Sequence, residues 1–234
     1  ADWPGWLAAH PGDDATSRRL RAIERIEALG GEVLALSADV ADSEQVRALV
    51  EQALAHFGAI HGVIHAAGVP GGGLIQLKQP GNAGPALAAK VAGTRALAAA
   101  LAATPLDFMV LCSSLASLAG GVGRADYSAA NAFLDAFAHA APPGMRVVAI
   151  NWDAWQEAGM AAESALLTES ARAGLGAGLR SSEGAELFAR ILARLGPPQV
   201  IVSTRDLAAR RWRASRGYSS PDADLVRASA LFGP

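Results

Sequence analysis

The fold is decided by "LCSSLASLAGGVGRADYSAANAFLDAFA", residues 111–138. Apolar residues run into a serine pair, Ser113 and Ser114. A glycine-rich stretch follows, and Tyr127 stands just before an alanine-rich run of helical character. Strand, turn and helix in that order make half of a βαβ unit. Tyr127 lies thirteen residues past Ser114, and Asn131 four residues past Tyr127.

Working outward, the same alternation repeats. Short apolar runs at 32–40, 60–68, 106–114, 146–152 and 199–203 predict strands. Helical spacing predicts helices over 16–29, from a Thr/Ser start to a Gly-Gly stop, and over 42–58, capped by Asp42 or Ser43. Further helices are predicted over 85–104 and 128–141, with two more within 156–195. Residues 1–16 read as irregular or briefly helical, and 69–84, rich in glycine, as a loop. The weakly patterned stretch 156–182 is expected to be a lid. Strands alternating with helices imply right-handed crossovers and a parallel sheet covered on both faces. The fold class is therefore α/β, a Rossmann-like doubly wound sheet. Such sheets hold ligands beyond the carboxyl ends of their strands. Asp39, Ala66 to Gly68, Ser113 to Ser114 and Asn151 to Trp152 all fall there.

Bulk composition narrows the function. Hydrophobic residues are 51% and charged residues 18% of the 234, a core-rich globular balance. Net charge is −2 and the basic residues are scattered except near the C-terminus, which argues against nucleic acid as a partner. No apolar run is long enough to span a membrane. The lone Cys112 rules out an intrachain disulfide and points to a reducing, cytoplasmic setting. His61 and His65 have no Cys or His partners at metal-binding spacing, so no metal is expected. The sequence opens without Met, and we expect it to be part of a longer protein.

The residues in the central stretch suit carbonyl reduction. Hydride delivery to a carbonyl needs an acid for the developing alkoxide. A tyrosine serves when a nearby cation lowers its pKa. Lys90, one of only two lysines in a chain that otherwise uses Arg, is the candidate cation. Ser114 can hold the carbonyl oxygen, and Asn131, one turn after Tyr127 on the same helix face, can order a water or the lysine. Each has a plainer reading: Tyr127 as a helix-start aromatic, Lys90 as a solvated lysine, Asn131 as a helix cap, Asp39 as a turn former and Trp152 as core. Ser113 reads as structural.

"HAAG" (65–68), "AAKVAGT" (88–94), "LCSSLAS" (111–117), "YSAANAFLDA" (127–136) and "INWDAW" (150–155) together resemble the ketoreductase domain of modular type I polyketide synthases, a branch of the short-chain dehydrogenase/reductase superfamily. The resemblance runs from about residue 1 to about residue 210, leaving 211–234 as a tail or linker to a neighbouring domain. It implies Ser114, Tyr127, Lys90 and Asn131 as catalytic residues. It implies Asp39 and Val40 at the adenine, Ala66, Ala67 and Gly68 beside the ribose and nicotinamide, and Asn151 and Trp152 near the nicotinamide. It further implies NADPH, a β-ketoacyl thioester on the phosphopantetheine of an acyl carrier protein, and neighbouring synthase domains as partners.

Two features depart from the family. No strand, glycine-rich turn and helix of the dinucleotide-binding kind opens the chain. The first βαβ unit is therefore expected to be absent from this sequence, leaving the strands at 32–40 and 60–68 without their usual neighbours. The loop 69–84 also lacks a Leu-Asp-Asp signature, and position 119 is Ala rather than Trp, so the hand of the product alcohol stays open. Two other readings stand beside the reductase: a cofactor-free scaffold in a megasynthase, and a free-standing short-chain reductase of a small metabolite.

Overall fold

The computed structural model describes residues 3–10, 12, 14–78, 84–121, 123–142, 144–163 and 175–210. The expected tail at 211–234 and the middle of the expected lid lie outside the described residues. Internal contacts divide the chain into Ala1–Ser37 and Ala38–Pro234.

The first unit is a helix pair, α1 (Trp3–Ala9) and α2 (Ala15–Ala28). Asp14 caps α2, its carboxylate accepting from Thr16 N and Ser17 N at 2.9 and 3.0 Å. The cap is thus the aspartate rather than the Thr/Ser pair, because its carboxylate reaches two free N–H groups at once. Residues 31–39 run without helix or ladder, so the strand expected at 32–40 does not form. Apolar alternation favours extended backbone, but a strand exists only where its N–H and C=O groups meet a neighbour. Among the described residues none pairs with this segment.

The second unit begins with α3 (Ser43–Phe57), capped by Asp42 and ended by Gly58 in the left-handed conformation (φ 78°). Its sheet has four parallel strands in chain order, β1 (Gly62–His65), β2 (Phe108–Ser114), β3 (Val147–Trp152) and β4 (Gln199–Ile201). The register sets His65 beside Leu111, and Ser113 and Ser114 beside Asn151 and Trp152. Alternate residues of β2 and β3 feed two cores. Met109, Leu111, Val147 and Ala149 pack with Leu134 and Ala138 of α7 (Ala125–His139). Val110, Val148 and Ile150 pack on the opposite face with Leu179 and Val202, flanked by Trp155, Leu187 and Phe188.

The helix expected at 85–104 forms in three pieces. α4 (Gly84–Leu87) runs into one π-helical turn, Ala88–Ala92, and then into α5 (Gly93–Ala100). The Gly93 N–H reaches back five residues to Ala88 O. A single π turn inside an α-helix often marks a functional position, and this one contains Lys90. The helix predicted from 128 also starts earlier than expected. α7 begins at Ala125, so Tyr127 sits in its first turn, behind the short α6 (Ala116–Ala119). The region after β3 holds α8 (Met160–Glu163) and α9 (Ser181–Arg194). No helix among the described residues is long and apolar enough to cross a membrane.

Candidate active site

The carboxyl end of β2 is the centre of the site. The Lys90 side chain is carried inward by the π turn and is only 4% exposed. Its Nζ donates to Cys112 O at 2.8 Å, two residues before Ser114. The Ser113 hydroxyl donates to Asn131 O at 3.3 Å, and Asn131 Nδ2 donates to Tyr127 O at 2.7 Å. The Ser114 hydroxyl accepts from Ala116 N at 3.2 Å, where the chain turns into α6. Lys90, Ser114, Asn131 and Tyr127 are therefore tied to one another through the backbone of β2 and the first turns of α7. Ser114 and Tyr127 are half-buried, while Asn131 is fully buried. The Asn131 Oδ1 atom is buried with no hydrogen-bond partner among the described residues, an acceptor without a donor.

Beneath these residues lies a buried polar layer. Asn151 is fully buried, and its amide nitrogen lies 2.9 Å from both Asp135 carboxylate oxygens and from Ser117 Oγ, and 3.1 Å from Ser113 Oγ. Ser117 Oγ donates to Asp135 Oδ2 at 2.6 Å, and Gln199 Nε2 donates to Asn151 Oδ1 at 2.9 Å. Asp135 and Ser117 were not singled out by the sequence. The available signal was spacing, since Asp135 follows Asn131 by four residues and so shares its helix face. Burial pushes the Lys90 ammonium below its ordinary pKa, with Cys112 and Asp135 acting the other way.

His65 closes the site from β1. It is 3% exposed, and burial followed by the Lys90 charge pushes its pKa down to about 4. The imidazole is thus neutral at physiological pH, and its Nε2 has no hydrogen-bond partner among the described residues. Past it, Ala66 and Ala67 are exposed and Gly68 is half-buried. A Cβ on Gly68 would lie 3.4 Å from Lys90 Cε, so the end of β1 runs directly over the lysine.

The other predicted positions divide. Val40 packs on Gly93, where an added Cβ would come within 3.0 Å of both its methyls, so 39–40 lies against the start of α5, one turn beyond Lys90. Asp39 is exposed and turns back on its own backbone, accepting from Ala41 N at 2.9 Å. Trp152 meets Trp155 edge-on, with centroids 5.2 Å apart, and packs in the second core. Among the described residues no group of three or more metal-binding side chains converges.

A family profile described as "KR domain" matches residues 8–157. Polyketide synthase ThaG of Burkholderia thailandensis is 36% identical over 81% of this chain, which spans 4% of that protein. A Mycobacterium tuberculosis protein described as a putative inactive phenolphthiocerol synthesis polyketide synthase is 36% identical over 90% of this chain, which spans 13% of its length. Among solved structures, a ketoreductase from the first module of phoslactomycin biosynthesis in Streptomyces sp. HK803 is 29% identical with a TM-score of 0.73, covering 89% of this chain and 47% of its own. The chain thus spans a small part of the curated relatives it matches.

Proposed function

The chain belongs to the KR domain family, whose solved relatives include polyketide synthase ketoreductases, and from that premise we propose that it reduces a β-ketoacyl thioester to the β-hydroxyacyl thioester with NADPH. The observation that carries this reading is the linked set at the end of β2. Lys90, Ser114, Tyr127 and Asn131 come from three separate elements and are joined through Cys112 O, Ser113 Oγ and Asn131 Nδ2.

The residues at the end of β1 fit the nicotinamide half of such a cofactor. Ala66, Ala67 and Gly68 are small, partly open and next to Lys90, so they would hold the ribose and nicotinamide. Asp39 and Val40 would meet the adenine, with Trp152 near the nicotinamide. When bound, the cofactor supplies the hydride. Asn151 serves the site from beneath, fixing Ser113 and the Ser114 carbonyl.

The chain's own groups handle the oxygen and the proton. The Ser114 hydroxyl orients the carbonyl oxygen, and the Tyr127 hydroxyl gives it a proton as negative charge develops there. The Lys90 ammonium stabilises the charge left on the phenol oxygen. The free Asn131 Oδ1 accepts from a water on the path that returns a proton to Tyr127. The substrate is carried by an acyl carrier protein, and neighbouring synthase domains are the remaining partners.

The test is thioester-dependent NADPH consumption by the whole natural protein and by its Tyr127→Phe variant. We expect the variant to bind NADPH normally and to lose roughly 10²-fold or more in kcat, as for loss of a positioned acid. A wild-type protein that consumes no NADPH with any β-ketoacyl thioester would favour a silent scaffold. The relative described as inactive gives that outcome its interest.

A further inference from the structure

The chain's other lysine is also withdrawn from solvent. The Lys78 side chain is 12% exposed, and its Nζ lies 2.8 Å from Oδ2 of Asp126, whose side chain is 2% exposed. The same Nζ donates to Gly72 O at 2.5 Å. The second carboxylate oxygen of Asp126 accepts the Tyr127 N–H at 2.9 Å. Gly71 lies so close to this carboxylate that a Cβ there would come within 2.8 Å of Asp126 Oδ1. A Cβ on Gly123 would lie 3.6 Å from Gly73 N, so the backbone at Gly73 runs close to Gly123, just before α7. One buried ion pair therefore joins the loop after β1 to the backbone of Tyr127.

We propose that Lys78 and Asp126 are positioning residues that latch the 68–78 loop onto the first turn of α7 and so hold Tyr127 in its working orientation. The inference rests on the proposed role of Tyr127. Exposed lysines make weak pairs, whereas a pair withdrawn from water is costly to break on one side, because the remaining charge is left buried without a partner. Burial pushes the Asp126 carboxyl up, but Lys78 and the Tyr127 N–H outweigh it and keep it below the usual carboxylate range. The carboxylate is therefore ionised at neutral pH. The order of segments matters as well: 68–78 begins at Gly68, beside Lys90, so the latch joins the strand end expected to face the nicotinamide with the helix turn that bears the acid. An acid displaced by an ångström loses much of its effect.

The test compares Lys78→Met, Lys78→Arg, Asp126→Asn and Tyr127→Phe in the whole natural protein, measuring kcat, KM for NADPH and Tm. Lys78→Met should lower kcat by about 10- to 100-fold and leave KM for NADPH within about twofold, the pattern of a misplaced acid. Lys78→Arg, which keeps the charge, should recover most of the loss. Asp126→Asn keeps the size and still accepts the Tyr127 N–H, so it carries the same expectation should Lys78→Met fail to fold. Wild-type kcat in Lys78→Met or Asp126→Asn, with Tyr127→Phe inactive, overturns the latch alone. Equal impairment of the Met and Arg variants also overturns it, since the charge would then be irrelevant. Normal turnover by Tyr127→Phe overturns the reading of the site, and the latch with it.

Discussion

His65 shows how strongly this interior treats charge. Its folded pKa of about 4 lies below the ordinary 6.5, so the unfolded chain binds a proton that the folded chain refuses between those values. Stability from this residue is complete above about pH 6.5 and is lost as pH falls toward 4, by up to about 3 kcal/mol. Melting curves of wild type and His65→Gln across that range check this; the variant should show the flatter acid limb. Lys90 is buried in the same way, and in the proposed reaction its charge acts on Tyr127. Removing its charge relieves a desolvation cost but leaves the Cys112 carbonyl without its donor, and the two effects oppose each other. Lys90→Met should therefore leave Tm within a few degrees of wild type while kcat falls at least about 10²-fold. The residues of the proposed reaction were legible in the sequence because rarity and spacing singled them out. Lys90 is one of two lysines, and Ser114, Tyr127 and Asn131 stand at telling intervals. Asp135, Ser117 and Asp126 were not legible, because their roles arise from contacts across β2, β3 and α7 that no local pattern announces.

At the scale of elements, what the sequence revealed depended on whether an element is held together within itself. α3 is bounded by Asp42 and Gly58 as the capping signals indicate. β2 and β3 match their apolar runs closely because both lie in the sheet interior with partners on each side. The run at 32–40 has the same apolar character and forms no strand, since pairing is a property of two segments. The π turn at 88–92 was equally invisible, because it answers to the depth of the Lys90 site rather than to helix propensity. Element packing also reverses one propensity rule. Glycine inside a helix costs about 1 kcal/mol relative to alanine, so Gly184→Ala in α9 would ordinarily stabilise. Here an added Cβ would enter the Trp155 ring. Overpacking costs about 1–3 kcal/mol, so Gly184→Ala should lower Tm by a few degrees, as calorimetry on the two proteins will check.

Across the whole molecule, the parallel sheet accounts for why residues far apart in sequence meet. Four parallel strands in chain order place every carboxyl end at one edge of the sheet, so Ser114 and Trp152 finish side by side and the segment after His65 runs toward the same edge. Helices that cross back between the strands then bring Lys90 and Tyr127 to that edge from either side of β2 in the chain. The general architecture was legible in the alternation of apolar runs and helical periods, which needs no knowledge of contacts. The two-unit organisation, divided after Ser37, was not, because the composition of 32–40 matches that of a true strand. The central claim is that this edge delivers a hydride to a β-ketone while Tyr127 protonates its oxygen. It is tested most directly by supplying the whole natural protein with NADPH deuterated at both C4 positions of the nicotinamide and a β-ketoacyl thioester, then locating the label by mass spectrometry. The account predicts one deuterium on the β-carbon of the hydroxyacyl product, formed at a rate that Tyr127→Phe lowers by roughly 10²-fold or more. An unlabelled product, or label transfer undiminished in that variant, would contradict it.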